Sequence, residues 1–181
     1  MIAVFLADGF EEIEAIAPID LLRRAGFDVK TVGVGTKFAV GSHGICIAAD
    51  ITADELDTEK VTMAIFPGGM PGTLNLNSAP ITDKVIKSVC ERGGRLAAIC
   101  AAPIIFGKRG LLSGKRATCY PGFESELIGA QLLNDSVVTD GSITTARGAG
   151  VAIEFAAELI KLLSGEERAK EILRTMMTKG V

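Results

Sequence analysis

The sequence predicts an α/β fold in which a mostly parallel sheet is doubly wound, with helices on both faces. Apolar runs of strand length alternate with amphipathic segments of helical length along the 181 residues, and this alternation is typical of strands that are covered on both sides. Glycine or proline marks most of the junctions. No linker, repeat or low-complexity tract interrupts the pattern, so we expect a single domain over residues 1–181.

The first half of the chain shows the alternation clearly. The apolar run Ile2–Ala7 predicts a buried strand, which Asp8-Gly9 ends. Apolar residues then recur at helical spacing through Glu12–Ala25, where Pro18 is a site for a kink and Gly26 a stop. We predict strand Ile2–Ala7, helix Glu12–Ala25, strand Asp28–Val34, an antiparallel hairpin of Phe38–Gly41 and Ile45–Ala49, strand Val61–Phe66 and helix Pro80–Arg92.

The second half continues the pattern around one cysteine. Gly93-Gly94 precedes an apolar run, Arg95–Ile99, that leads directly into Cys100. We predict strand Arg95–Ile99, helix Ala102–Arg109, strands Arg116–Cys119, Val137–Thr139 and Ile143–Ala146, and helices Gly150–Leu163 and Glu166–Thr178. The complete order indicates a flavodoxin-like, doubly wound sheet.

Composition argues against several classes of function. A net charge of −3 provides no basic surface for nucleic acid or an anionic membrane, and one tyrosine without tryptophan offers little for base stacking. The first apolar run is too short for a signal peptide or a membrane span, so we expect a cytoplasmic protein. Four cysteines without a Cys-x-x-Cys pair, and a single histidine, predict neither a disulfide framework nor a metal site.

Three loops follow predicted strands at the place where a ligand is expected. In an open parallel sheet, ligands bind beyond the carboxyl ends of the strands. The loops Asp8–Glu14, Pro67–Thr73 and Cys100–Pro103 occupy such ends and are rich in glycine or in reactive side chains. We therefore expect these three loops to converge on one site.

Cys100 is the candidate nucleophile. A residue between a buried strand and a helix lies at the helix N-terminus, where unpaired amides and the helix dipole favour an anion, so we expect the pKa of the thiol to be lowered. The neighbours Ala98, Ala101 and Ala102 are small, as a sharp turn of the nucleophile-elbow type requires. The alternative, a buried cysteine that only packs, is about equally favoured by this context.

Gly68, Gly69 and Glu14 are the candidate partners of Cys100. Paired glycines after a strand let the backbone approach a ligand, and the amides of Gly69 and Ala101 can form an oxyanion hole, although such a pair also occurs in plain loops. Glu14 lies one turn deeper than Glu11, so its carboxyl can face the crevice. Buried beside a thiolate, it is expected to stay protonated and to donate a hydrogen bond to the sulfur.

The remaining polar and sulfur-bearing residues are expected to be structural. Glu11 and Glu12 read as acids that complement the helix dipole, and His43 as a solvated turn residue. Cys46 and Cys90 read as packing residues of a strand and a helix. Cys119, close to another strand end, can line the same pocket as Cys100.

Four short motifs give the chain a family resemblance. They are Ala7-Asp8-Gly9-Phe10-Glu11-Glu12-Ile13-Glu14, Phe66-Pro67-Gly68-Gly69, Ala98-Ile99-Cys100-Ala101-Ala102-Pro103 and Ala146-Arg147-Gly148-Ala149-Gly150. In this order they resemble the signatures of the DJ-1/PfpI (ThiJ/PfpI) family, and the DJ-1-like branch more than the intracellular proteases. The resemblance implies a flavodoxin-like homodimer with an oxidation-prone nucleophile at Cys100, a protonated glutamate at Glu14 and an oxyanion-hole glycine at Gly69.

The resemblance also implies a function. Family members are described as cofactor-independent glyoxalases that convert methylglyoxal to lactate, as protein deglycases, and as redox sensors or chaperones. Two departures bear on this: Tyr120 stands where many members carry a histidine, and Ala101 stands where the proteases carry one, so a Cys-His protease is not expected. We expect a glyoxalase or deglycase-type enzyme acting on small 2-oxoaldehydes, with Gly68 and Tyr120 also lining the site. The alternative is an oxidative-stress sensor or redox-regulated chaperone that uses Cys100 without turnover.

Overall fold

The computed structural model describes residues 1–178, and these form eleven strands and six α-helices. The strands are β1 (Ile2–Leu6), β2 (Val29–Gly33), β3 (Phe38–Val40), β4 (Cys46–Ala48), β5 (Ile51–Thr52), β6 (Met63–Phe66), β7 (Arg95–Ile99), β8 (Arg116–Ala117), β9 (Gln131–Leu132), β10 (Val137–Asp140) and β11 (Ile143–Ala146). The helices are α1 (Glu12–Arg24), α2 (Gly72–Ser78), α3 (Pro80–Glu91), α4 (Pro103–Gly107), α5 (Ala152–Ser164) and α6 (Glu166–Thr175).

Seven strands form the central sheet in the order β10-β11-β7-β6-β1-β2-β5. All neighbours pair in parallel except β10, which is antiparallel to β11 at one edge. The five strands β2-β1-β6-β7-β11 reproduce the flavodoxin-like order, whose direction switches between β1 and β6. The mostly parallel, doubly wound fold predicted from the sequence is therefore confirmed.

Helices cover both faces of the sheet because side chains alternate along each strand. In β1, Ile2, Val4 and Leu6 belong to the hydrophobic core under α1, α5 and α6, whereas Ala3 and Phe5 belong to the core under α2, α3 and α4. On this second face the ring of Phe66 stacks on Phe5 and meets Phe106 edge-on, with centroids 5.1 and 5.7 Å apart. These two cores fix the strand ends from which the loops of the site emerge.

The β3–β4 hairpin lies outside the main sheet and is tied to the start of α1. The amide of Val40 donates to the Asp8 carboxylate over 2.9 Å, the amide of Gly9 donates to the Val40 carbonyl over 2.7 Å, and the amide of Ser42 donates to the Phe10 carbonyl over 2.7 Å. The predicted antiparallel pairing is confirmed, with Phe38 opposite Ala48. The hairpin therefore sits beside the loop that leads into Glu11 and Glu14.

Several predicted elements differ from the observed ones. The segment after Pro67 was expected to be a loop, but its end forms α2 (Gly72–Ser78). The strand predicted at Arg116–Cys119 is the short β8, which pairs with β9 in a separate small sheet. Helix α4 is shorter than predicted, with only five residues, and α6 ends at Thr175. Helix α1 continues through Pro18 as one element.

Candidate active site

The three loops predicted to carry chemistry meet at one edge of the sheet. Strands β1, β6 and β7 are parallel neighbours, so their carboxyl ends lie side by side. They lead into the start of α1, into Gly68-Gly69 and into Cys100 respectively. The adjacency of these strands in the sheet order is what brings together residues that are far apart in the chain.

Cys100 occupies a strained turn directly after β7. Its φ angle is 65°, which places a residue with a side chain in the left-handed region; such a conformation costs about 1–2 kcal/mol. Two neighbouring segments hold it: the Cys100 amide donates to the Ala146 carbonyl over 2.9 Å, and the Cys100 carbonyl accepts from the Tyr120 amide over 2.8 Å. The turn presents the half-buried thiol at the top of the sheet, as a nucleophile elbow does.

Gly68 separates Cys100 from Glu14, and only a glycine fits there. A Cβ atom on Gly68 would lie 2.6 Å from the Cβ of Cys100 and 2.6 Å from Oε2 of Glu14. Gly69 has a φ angle of 87°, and a Cβ atom on it would collide with the backbone of Glu11. The paired glycines therefore let the backbone after β6 run between the thiol and the carboxyl.

The Glu14 side chain is buried, with 1% of its surface exposed. Its Oε2 accepts a hydrogen bond from the Gly68 amide over 2.9 Å, while Oε1 has no partner among residues 1–178. Burial raises the pKa of Glu14 to about 7, and the nearby Glu11 carboxylate adds to this rise; the Cys100 side chain and the amides of Gly68 and Ala149, which lie near the carboxyl, act in the opposite direction. Glu14 is therefore a carboxyl that gains and loses a proton near neutral pH.

The expected lowering of the Cys100 pKa is wrong. Burial, followed by the charge of Glu14, raises the pKa of the thiol to about 12, although the amides of Gly69 and Ala101 favour the thiolate. The dipole on which the expectation rested is small, because α4 has five residues and begins at Pro103, three residues after Cys100. Burial and Glu14 therefore outweigh the two amides that face the sulfur.

Glu14 and Cys100 thus titrate as one unit. Two acids that interact this closely lose their protons in steps that belong to the pair. The pair formed by the Glu14 carboxyl and the Cys100 thiol loses its first proton near neutral pH. When the remaining proton sits on Glu14, the sulfur carries the negative charge; burial still raises the pKa of the thiol, but the charge of Glu14 no longer adds to it.

The other predicted site residues lie around this pair. The Gly69 and Ala101 amides both interact with the Cys100 sulfur. Tyr120 is half exposed and is bonded through its amide to the Cys100 carbonyl. Sequence reasoning missed Gly148 and Ala149: the Ala149 amide acts on the Glu14 carboxyl, and Gly148 lies between Glu14 and Tyr120. The fourth motif contained both residues, but nothing in it assigned them to this site.

Glu12 and His43 form a second polar cluster, next to the site. Glu12 is buried and accepts from the His43 amide over 2.7 Å, and its carboxylate lies 2.8 Å from Nδ1 of His43. Glu12 was expected only to complement the dipole, so its anchoring of the hairpin was missed. His43 is solvated as predicted. Ligand atoms of Glu11, Glu12 and His43 lie within 4.8 Å of one another, but the Glu12 oxygens already accept hydrogen bonds.

The remaining cysteines differ from one another. Cys46 and Cys90 are exposed, so their assignment as packing residues is wrong. Cys119 is buried in the core under α4, and burial raises its pKa to about 11. Cys100 differs from these three because its thiol is half-buried and lies beside the Glu14 carboxyl.

Fold and site together define a class: a flavodoxin-like α/β protein with a cysteine at a strained strand-to-helix turn, next to a buried glutamate. The chain belongs to the DJ-1/PfpI family, whose model matches residues 1–162. The resemblance expected from the four motifs is confirmed. Within residues 1–178 no helix is both long enough and apolar enough to cross a membrane.

Similar proteins support this assignment. The chain is 35% identical to protein dj-1beta of Drosophila melanogaster over 96% of this chain and 95% of that protein. It is 39% identical to protein DJ-1 homolog B of Arabidopsis thaliana over 92% of this chain, but it spans only 39% of that protein's length. The solved structure of oxidised Toxoplasma gondii DJ-1 superposes with a TM-score of 0.94 at 33% identity, over 98% of both chains.

Two relatives carry names that state an activity. One is the glutathione-independent glyoxalase DJR-1.2 of Caenorhabditis elegans, 30% identical over 92% of this chain and 89% of that protein. The other is the deglycase PYRAB04690 of Pyrococcus abyssi, 29% identical over 90% of this chain and 98% of that protein. Enzymes of both names therefore occur among the homologues of this chain.

Proposed function

We propose that the chain is a cysteine-dependent, cofactor-independent enzyme that converts small 2-oxoaldehydes such as methylglyoxal to 2-hydroxy acids. The observation that carries this proposal is the buried Glu14 carboxyl, with one oxygen unpartnered, on the opposite side of Gly68 from the Cys100 thiol. A nucleophile and a proton carrier in one crevice are the two groups that the reaction needs. The named activities of two relatives support it.

The first step is addition of the Cys100 thiolate to the aldehyde carbon. A carbon–sulfur bond forms, the carbonyl electrons move to oxygen, and a hemithioacetal results. The amides of Gly69 and Ala101, which already face the sulfur, are placed to donate hydrogen bonds to that oxygen. The thiolate form required for attack exists while Glu14 holds the shared proton.

The second step moves a proton between the two carbons. Once its own proton has passed to the substrate's ketone oxygen, Glu14 can take the hydrogen from the former aldehyde carbon and return it to the neighbouring carbon. This gives a thioester of the 2-hydroxy acid without any external oxidant. Water then cleaves the thioester and restores the thiol. A pKa near 7 suits both directions of transfer at neutral pH.

The same reaction accounts for a deglycase-type outcome. Adducts of methylglyoxal with thiols and amines form reversibly at their first stage. Removal of the free aldehyde shifts that equilibrium back to the unmodified groups. One reaction at Cys100 can therefore account for both the glyoxalase and the deglycase named among the relatives.

The test is a lactate assay on the purified protein. Methylglyoxal is added without glutathione, and D- and L-lactate are followed enzymatically. We expect lactate to form, and to be absent with Cys100→Ser, which keeps the size of the side chain but not the nucleophile. Equal lactate from the wild-type protein and the Cys100→Ser variant would overturn the proposal.

A second candidate function is that of an oxidation-responsive sensor or chaperone without turnover. It is favoured by the neutral form of Glu14, which can donate a hydrogen bond to an oxidised sulfur and retain it. Graded peroxide followed by peptide mass spectrometry tests it. We expect Cys100 to reach the sulfinate before the exposed Cys46 and Cys90. Equal oxidation of all three would contradict a dedicated sensor.

We also infer that the chain acts in the cytoplasm, as one domain over residues 1–181 and as a homodimer. Exposed apolar side chains on α1 and on the hairpin support the dimer, since such surface is commonly covered by a second copy; they are Ile13, Ile16, Phe38, Val40 and Ile45. Sedimentation at micromolar concentration near pH 7 is expected to show a dimer, and a monomer there would refute it.

A further inference from the structure

The ring of Tyr120 lies beside the Cys100–Glu14 pair. The Tyr120 amide donates to the Cys100 carbonyl over 2.8 Å, which fixes its backbone next to the nucleophile. A Cβ atom on Gly148 would lie 3.3 Å from Cδ2 of Tyr120 and 3.8 Å from Oε1 of Glu14. The aromatic ring and the unpartnered oxygen of Glu14 therefore border the same small space above Gly148.

The Tyr120 ring can still accept a ligand, because half of the residue is exposed. Phe123 supports it from one side, with ring centroids 6.5 Å apart and planes at 62°. The absence of a side chain on Gly148 leaves room between the ring and the carboxyl. A group placed over Gly148 lies between the Tyr120 ring and the Glu14 carboxyl.

The charges around this entrance favour a neutral substituent. The carboxyl groups of Glu11 and Glu14 lie on one side. Near Cys119, the neighbour of Tyr120, the charge of Glu124 acts to raise the pKa of the thiol and the charge of Arg147 acts to lower it. Arg147, the cation of the fourth motif, donates from Nη1 to the carbonyl and the side-chain oxygen of Asn134, over 3.1 and 3.3 Å. An anionic substituent would meet three carboxyl groups, against one guanidinium whose Nη1 already binds Asn134.

We propose that Tyr120 and Gly148 determine specificity, so that the site prefers neutral 2-oxoaldehydes with a flat aromatic substituent over methylglyoxal. The preference arises because an aromatic substituent can stack on, or meet edge-on, the exposed ring. Tyr120 forms no bond to the substrate and moves no proton in this scheme. The inference rests on the proposed function, since it names the substrate class of the same site.

The first test compares phenylglyoxal with methylglyoxal as substrates. The quantity is the ratio of their kcat/KM values, because it cancels losses that affect both substrates alike. Tyr120→Ala is expected to lower this ratio about threefold to tenfold, whereas Tyr120→Phe, which keeps the ring, holds it within about twofold. Gly148→Ala, which fills the shared space, is expected to lower it as well. An unchanged ratio in Tyr120→Ala overturns the proposal.

The second test does not depend on turnover. Phenacyl chloride and chloroacetone both alkylate a thiol, with sulfur displacing chloride, and they differ by a phenyl and a methyl group. We expect Tyr120→Ala to lower the phenacyl-to-acetonyl ratio of Cys100 adducts by a similar factor, measured by peptide mass spectrometry. Cys46, exposed and remote in sequence, is the internal reference.

The two tests separate the inference from the proposed function. In one outcome, the wild-type protein forms no lactate but Tyr120→Ala lowers its preference for phenacyl chloride. The role of the Tyr120 ring is then supported, and the glyoxalase function is refuted. In the other outcome, both aldehydes are turned over, and the turnover and alkylation ratios are the same in wild type and Tyr120→Ala. The proposed function is then supported, and the role of Tyr120 in specificity is refuted. Circular dichroism melting of each variant identifies a failure to fold. If Tyr120→Ala does not fold, the substrate ratios of Tyr120→Phe and Gly148→Ala are compared instead.

Discussion

Glu12 and Glu14 lie two residues apart at the start of α1, and both are buried, yet their carboxyl groups behave in opposite ways. Burial raises the pKa of each. At Glu12, hydrogen bonds from the His43 ring and amide and from the Ile45 amide outweigh burial, and the pKa falls to about 2. At Glu14, burial prevails and the pKa rises to about 7.

The difference teaches that hydrogen-bond donors can outweigh burial for a carboxyl near the surface, whereas burial prevails for one that lies deeper. Glu12 faces the hairpin, which supplies donors to both of its oxygens. Glu14 faces the crevice, where Gly68 supplies a donor to one oxygen and Glu11 adds a like charge. One turn of helix therefore carries a permanently charged anchor for the hairpin and a carboxyl that can exchange a proton beside Cys100.

Replacing Glu14 by glutamine gives the largest expected effect. Glu14→Gln removes the exchangeable acid, so kcat/KM for methylglyoxal is expected to fall at least ~100-fold, the lower end of the usual contribution of a general acid–base group. Alkylation of Cys100 by iodoacetamide near pH 7 is expected to persist, because the charge of Glu14, which adds to burial in raising the pKa of the thiol, is gone.

Glu12→Gln is the matched control for this change. It alters a buried carboxyl on the same turn, but one that faces the hairpin. We expect it to keep turnover within about tenfold of wild type, since it removes no group that transfers a proton. Equal losses in the two variants would contradict the division of roles between the two carboxyls.

The two carboxyls should also make the pH dependence of stability slope in opposite directions. The pKa of Glu12 lies below its ordinary value of 4.5, so its contribution is present above about pH 4.5 and is lost as the pH falls toward 2. The pKa of Glu14 lies above 4.5, so the folded state loses stability as the pH rises from 4.5 to about 7. For Glu14 we expect a change of about 3 kcal/mol.

Urea unfolding of wild type, Glu12→Gln and Glu14→Gln across pH 3–8 measures both slopes. Relative to Glu14→Gln, the wild-type protein should lose free energy of unfolding between about pH 4.5 and 7. Relative to Glu12→Gln, it should lose free energy of unfolding below about pH 4.5. Parallel curves for all three proteins would show that neither carboxyl has a shifted pKa in the folded state, and would contradict both expectations.

A change at Gly68 tests whether the crevice must be this narrow. Gly68→Ala places a methyl group 2.6 Å from both Cys100 and Glu14, and such overpacking costs about 1–3 kcal/mol. Gly150→Ala is the control, because nothing lies within 4 Å of its added Cβ and its φ is not in the left-handed region. We expect a lower melting temperature and slower alkylation of Cys100 in Gly68→Ala alone. Identical behaviour of the two variants would refute the close approach.

The sequence alone predicted the scaffold well, because strands that are buried on both faces of a sheet appear in the sequence as continuous apolar runs. The apolar runs of β1, β6 and β7 could be read as strands, and parallel pairing then implied that their ends meet. It missed α2, whose first residue is Gly72 and whose Leu-Asn-Leu-Asn core gives no amphipathic signal.

The charge states were the part that the sequence could not supply. The expected low pKa of Cys100 followed from an assumed helix at that residue, whereas α4 is short and Glu14 lies close by. The role of Glu12 depends on where the hairpin tip with His43 comes to rest, which is a tertiary contact between segments 31 residues apart. The catalytic and binding roles of the six proposed site residues stay predictions; they are Glu14, Gly68, Gly69, Cys100, Ala101 and Tyr120.

The smallest expected effect concerns His43, the partner of Glu12. Its ring is 70% exposed, so the pairing is screened by solvent and contributes little to stability. The hydrogen bond to Glu12, followed by the charge of that carboxylate, raises the pKa of His43 above 6.5. Any stability from the pair is therefore complete below about pH 6.5 and is lost as the pH rises through the raised value. Because His43 is the only histidine of the chain, a single set of imidazole resonances reports its titration by NMR. In Glu12→Gln the ring loses the carboxylate, and its pKa should return toward 6.5, while Glu14→Gln should leave it unchanged. A titration of His43 that responds to Glu14 and not to Glu12 would mean that the two faces of α1 are not separate.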